Sequence, residues 1–243
     1  MSADRTWNWL DLNFPWIGFG AALILAILMF ATNLLRDDVA RSRWRDPVWL
    51  SWLAMLAYLL HNVEEYGVDA LGRHHAFPDA LCTNLGLAPF PACPVPPAFF
   101  LAVNLPLFWI VAPLAALLAR RHPLVGLGIY GVIFINALVH IAPMLTGAGY
   151  NPGALSAIVI FLPLSLWVAH SCFGKGGLSY KALALLAASG VALHVVLMGS
   201  MKLFIAGMIT APVLILAQVA NAGLVLLILW LGEKWRGGAM LRG

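Results

Sequence analysis

His61, Glu64 and Glu65 fall within five consecutive positions of a stretch, Pro47–Tyr66, that is otherwise nearly all apolar. An imidazole and two carboxylates so placed suit proton transfer or the ligation of a metal ion. On a helix His61 lies four residues from Glu65 and three from Glu64, so one face can present imidazole and carboxylate to a single proton or ion. Neighbouring helical positions differ by about 100° in direction, so the two carboxylates cannot serve one ion alike. Glu65, one turn from His61, is expected to be the ligand, and Glu64 the proton carrier. A second pair, Asn136 and His140, has the same four-residue spacing. Asparagine is a poor ligand but can orient a histidine or a substrate oxygen. The plainer alternatives are carboxylates reaching the outer membrane interface and an interhelical hydrogen bond from Asn136 or His140.

The elements that must hold these groups are membrane helices. With 243 residues, 62% hydrophobic and 10% charged, the chain is too apolar for a soluble domain and long enough for several spans of about 20 residues. An ionised group in such a span costs roughly 2.5–3.5 kcal/mol or more, which is why His61, Glu64 and Glu65 need partners. Seven apolar stretches predict an all-α polytopic bundle of one domain, 1–243: Phe14–Leu35, Pro47–Tyr66, Pro97–Leu118, Pro123–Leu145, Ala154–Cys172, Tyr180–Gly199 and Ile209–Leu231. Trp7, Trp9, Trp16, Trp44, Trp49, Trp52, Trp230 and Trp235 suit interfacial belts. Eleven of the 14 Lys and Arg flank one side, leaving Arg5, Arg73 and Lys202 on the other, so the N-terminus is expected outside and the C-terminal tail, 232–243, in the cytoplasm. A bacterial inner membrane suits this pattern, and no cleaved signal peptide is implied. The net charge of +4 forms no groove with interleaved aromatics, which argues against nucleic acid.

This topology sorts the histidines by depth. His61, His140 and His194 all come roughly 20–25 Å from the cytoplasmic ends of their helices and share the outer third of the membrane. His122 and His170 fall near the cytoplasmic face, and His74 and His75 in a solvated outer loop. That loop, 67–96, is rich in proline and carries Cys82 and Cys93, which outside the cytoplasm either pair or remain two thiols. Cys172 reads as a small buried apolar residue. The loop and the turn Gly147–Gly153 are expected to roof the site, with Tyr150 reaching back as a donor.

His61-x-x-Glu64-Glu65, Asn136-x-x-x-His140 and Tyr150-Asn151-Pro152-Gly153 follow one another in order. Together they resemble the HXXEE family of integral membrane proteins over roughly Pro47 to Leu162. The resemblance implies an enzyme without naming its reaction, and it leaves His194 to the depth argument. Two or three imidazoles and a carboxylate make a mononuclear site of the catalytic zinc kind, with three protein ligands and an open position. The expected centre is therefore one divalent metal, zinc by preference, on His61, Glu65, His140 and His194, with Glu64, Asn136 and Tyr150 as catalytic groups. Di-iron sites of the ferritin-like type use four carboxylates and two histidines, more ligands than these motifs bring together. Neither Ser156 nor Ser165 has an acid–imidazole partner evident from spacing, so a serine nucleophile is not expected. The expected function is a metal-dependent hydrolase acting on a lipid-like or other apolar small molecule near the outer leaflet. The alternatives are a metal-free, acid-catalysed isoprenoid cyclase or isomerase, a proton- or metal-coupled carrier, and a structural role.

Overall fold

The computed structural model describes residues 6–147 and 149–236. It is helical, with no strand among the described residues beyond two isolated bridges. Helix α1 (Trp9–Ala31) begins at a capping box: Asn8 accepts from the Asp11 amide at 3.1 Å and Asp11 accepts from the Asn8 amide at 2.9 Å. Helix α2 (Pro47–Asn62) begins with proline in its first turn and with Asp46 accepting from the amides of Val48 and Trp49. It ends by widening into a π-helical turn, Val63–Gly67. After α2 come α3 (Ala76–Asn84), α4 (Pro97–Leu118), α5 (Pro123–Leu145), α6 (Ala154–Cys172), α7 (Tyr180–Ile205) and α8 (Ala211–Trp235). Helices α4 and α6 also contain π turns, at Pro106–Val111 and Ala157–Phe161.

Among the described residues, six helices, α1 and α4 to α8, are long and apolar enough to cross a membrane. The chain is thus an all-helical membrane protein. The seventh expected span, on α2, is not among the six, because His61, Asn62 and the two carboxylates dilute its apolar character. Instead α2 is the central post, packed against α1, α4, α5 and α6 and buried along most of its length. This corrects the placement of Trp49 in an interfacial belt. Its side chain is fully buried, and its indole N–H donates to the Met29 carbonyl at 3.1 Å.

Two close contacts fix the frame. Helices α5 and α7 cross backbone to backbone at Gly131 and Gly190: a Cβ on Gly131 would lie 2.2 Å from the Leu186 carbonyl oxygen, and one on Gly190 2.1 Å from that of Gly131. At the end of the bundle where α5 begins, Glu233 of α8 accepts from the Leu124 amide at 3.0 Å and pairs with His122 at 2.7 Å. The expected tail therefore starts late. Residues up to Arg236 continue α8, and 237–243 lie outside the described residues.

The long connection before α4 holds more structure than a bare proline-rich loop. Cys82, on α3, is disulfide-bonded to Cys93. Both are buried in a small apolar cluster with Phe14, Tyr66, Phe99 and Phe100, which closes the end of the bundle above the carboxylates.

Candidate functional site

The C-terminal end of α2 delivers His61 and, through the π turn, Glu65; α5 delivers His140. Glu65 Oε1 lies 3.5 Å from His61 Nε2 and 3.0 Å from His140 Nε2, and the three ligand atoms are all within 4.8 Å of one another. All three residues are buried. Two ligand atoms about 2.0–2.1 Å from a tetrahedral ion stand about 3.4 Å apart, so the observed separations suit a zinc-sized cation.

Glu64 turns the other way. Its carboxylate sits at the N-terminus of α6, accepting from the amides of Leu155 (3.0 Å) and Ser156 (2.7 Å), from the Tyr150 hydroxyl (2.6 Å) and from the Ser156 hydroxyl. An anion there satisfies amides that the helix leaves unpaired and is favoured by the helix dipole. Burial and the hydrogen bond to Glu64 push the Tyr150 phenol above its usual range, so it remains a donor.

Ser156 joins the two halves of the site. Its Oγ lies 2.7 Å from His61 Nδ1. Because the serine hydrogen goes to Glu64, His61 must donate Nδ1–H to the serine oxygen, which fixes the tautomer and strips Nε2 of its hydrogen. That Nε2 is buried and has no hydrogen-bond partner. A bare lone pair thus faces a carboxylate, an arrangement that calls for a cation or a proton between them. This corrects the expectation that Ser156 lacks an acid–imidazole partner. With its hydrogen on Glu64 and His61 donating to it, Ser156 acts as a link.

The Tyr150–Gly153 turn supplies the remaining contacts. The Asn151 side-chain amide lies 3.1 Å from His140 Nδ1. Gly153 forms the floor in a left-handed conformation (φ 92°): a Cβ there would lie 2.8 Å from His140 Cε1, from His140 Nδ1 and from His61 Cε1. From α3 comes Phe77, whose ring centre lies 5.6 Å from that of His140.

His194 does not enter the His61–Glu65–His140 cluster. Its Nδ1 donates to the Gly190 carbonyl at 2.8 Å, and its ring lines a neighbouring cavity of about 70 Å³. Shared depth brought it to the right level of the bundle but says nothing of which way the helix faces. Asn136 likewise orients no histidine. It donates to the Tyr58 hydroxyl at 3.2 Å, and its Oδ1 is buried without a partner. The cavity brings Glu65, Asn136, His194 and Tyr58 together with Phe77, Leu81, Leu197 and Met198. His75 Nδ1 donates to the Tyr66 carbonyl, 2.7 Å away, and the residue is half-buried, so it is not the solvated residue expected. Burial and the neighbouring His74 hold its pKa below the usual histidine value. The residues that sequence reasoning missed are Ser156 and Asn151. Only Asn151 had a signal, its place inside the Tyr150–Gly153 motif.

Residues 52–168 match the family described as a protein of unknown function with HXXEE motif. The segment bearing the three motifs is thus an HXXEE-family segment, as their order indicates. No curated protein and no solved structure matches the chain.

Proposed function

We propose that the protein is a membrane-embedded, metal-dependent enzyme whose ion, zinc by preference, is held by His61, Glu65 and His140. The observation that carries this reading is the buried, partnerless Nε2 of His61 aimed at the Glu65 carboxylate. When bound, a zinc ion supplies a Lewis acid that polarises a carbonyl or phosphoryl oxygen and makes water nucleophilic near neutral pH. Hydrolysis of a lipid-like substrate is the reaction this suits. Glu64, already accepting from four donors, acts as a positioning group through Ser156 and Tyr150. His194, with its hydrogen committed to Gly190, offers its unprotonated Nε2 as an acceptor to a substrate in the cavity, where Asn136 Oδ1 is a second free acceptor.

A second reading, the metal-free acid, draws on Asn151. With its Nδ2 donating to His140 Nδ1, His140 carries its hydrogen on Nε2 and gives it to Glu65; with the amide reversed, Nε2 is bare for a cation. Against a carrier stands the apolar path below the site: Leu50, Leu53, Ala54 and Ala57 of α2 are all buried. We also infer that α2 crosses as a seventh span. Its 16 residues and the 5 of the π turn reach about 30 Å. The distribution of Lys and Arg supports an orientation with the N-terminus outside.

Elemental analysis of protein purified without chelators tests the metal. About one zinc per chain in the wild type, lost in Glu65→Gln and His140→Ala, is expected. A chain that holds no transition metal yet turns over substrate would overturn the metal reading and leave the acid-catalysed one.

A further inference from the structure

At the far end of α2 from the His/Glu centre, 14 positions and about 21 Å away, an open cavity of about 740 Å³ takes its charged side chains from three segments. The α1–α2 connection provides Asp37, Arg41 and Arg45; the end of α4 provides Arg120; the end of α6 and the turn after it provide His170 and Lys175. The carboxylate is already used: Asp37 pairs with Arg120 at 3.2 Å, and Arg120 also donates to the Arg36 carbonyl at 3.0 Å. Among the described residues the side chains of Arg41, Arg45 and Lys175 have no ion pair or hydrogen bond. Three uncompensated cations therefore converge on one concave site, which raises its positive potential and favours an anion.

The cavity continues along the bundle surface. Arg45 and Trp167 also line an adjoining groove of about 530 Å³, whose other walls are Ser42, Trp44, Pro163 and Leu164. The wall is fixed where the Trp167 indole N–H donates to the Trp44 carbonyl at 2.8 Å. A cationic chamber opening into an apolar groove on the outside of the bundle matches a ligand with an anionic head and a hydrocarbon tail. Scattered positive-inside loop residues would give cations on this end but no chamber and no groove beside it.

We propose that this is a binding site for an anionic phospholipid, with the headgroup phosphate among Arg41, Arg45 and Lys175 and an acyl chain along Trp44, Pro163 and Leu164. Arginine suits phosphate because its planar fork donates two parallel hydrogen bonds. The site is independent of the metal centre and of the reaction there.

The test is thermal unfolding of the full chain in a non-ionic detergent, titrated with phosphatidylglycerol, with phosphatidylcholine of the same chains, and with inorganic phosphate. Phosphatidylglycerol is expected to raise the midpoint saturably, and the other two to leave it unchanged. Replacing Arg41, Arg45 and Lys175 together by Gln is expected to weaken the apparent affinity about a hundredfold, about fivefold per charge, whereas Lys202→Gln, at the other end of the bundle, leaves it unaltered. The three single substitutions are at exposed positions and give the same readout if the triple variant is not recovered. Equal stabilisation by inorganic phosphate would reassign the chamber to a soluble phosphate and overturn the lipid proposal. So would an equal response to phosphatidylcholine, or wild-type affinity in the charge-depleted variants.

Discussion

Replacing Gly153 by alanine probes the floor of the site. The backbone there has φ 92°, which costs a residue with a Cβ about 1–2 kcal/mol. The new methyl would also stand 2.8 Å from two atoms of His140 and one of His61. That is about 1 Å inside ordinary carbon contact, and pushing both imidazoles aside costs about 1–3 kcal/mol more. The total expected is about 2–5 kcal/mol. Gly149→Ala is the matched control, since φ there is 85° and nothing lies within 4 Å of its Cβ. Only the backbone cost of about 1–2 kcal/mol applies to it. Unfolding in detergent measures both variants, and metal content per chain is read on the same samples. Gly153→Ala should be the less stable by about 1–3 kcal/mol and should lose bound metal, which Gly149→Ala retains. If the two variants unfold alike and both keep the ion, His61 and His140 do not rest on Gly153 and the described geometry is wrong.

Glu65→Gln is expected to abolish metal binding with the fold intact, whereas Glu64→Gln should retain metal but lose about 1.5–3 kcal/mol of stability, the worth of hydrogen bonds to a charged group; parallel metal analysis and unfolding distinguish them, and the reverse pattern would exchange their roles. Ser156→Ala should weaken metal affinity about 10–100-fold while the far-end Glu233 contacts persist, as competition with a chromophoric chelator would measure. The Asp69 carboxyl is held below the usual carboxylate range: burial raises it, but hydrogen bonds from the amides of Arg73 and Leu71 and from the Arg73 guanidinium outweigh burial. A lowered folded pKa means that its contribution to holding the turn is complete above the unfolded value and is lost as the pH falls through the lowered one. Amide exchange at Leu71 and Arg73 should accelerate across that acidic window, and Asp69→Asn should show the fast exchange at every pH.

The pairing of His61 with Glu65 was legible because a helix turns four-residue spacing into contact, and His140 followed because counting residues along helices gives depth. His194 was placed by the same count yet lies outside the His61–Glu65–His140 cluster, since depth is one coordinate and the facing of α7 depends on packing at Gly190. Ser156 was invisible. It reaches His61 across 95 positions of sequence, and a serine near the start of an apolar helix has no pattern of its own. Tyr150 was expected to reach back as a donor, but its acceptor, Glu64, could not be named without knowing where α6 begins. Composition identified membrane helices well and is least decisive at α2, where His61, Asn62 and two carboxylates lower the apolar character of a buried helix. Trp49 was misplaced for a related reason: its position near a helix end resembles an interface, but its indole finds a carbonyl inside the protein.

The Gly131–Gly190 crossing has a mechanical meaning for the cavity beside Glu65. That cavity, about 70 Å³, holds about two waters, so the hydrocarbon substrate proposed above would require its walls to part. Backbone contact prevents α5 and α7 from sliding closer or exchanging depth, yet it leaves them free to tilt, and the crossing becomes a fulcrum. Met198, which lines the cavity, stands eight residues and about 12 Å along α7 from Gly190. A tilt of about 5° there swings it outward by about 1 Å. On the proposed function, two glycines with no chemistry of their own would set how far the chamber opens, and substitutions beside the pivot would tune its aperture without touching a ligand.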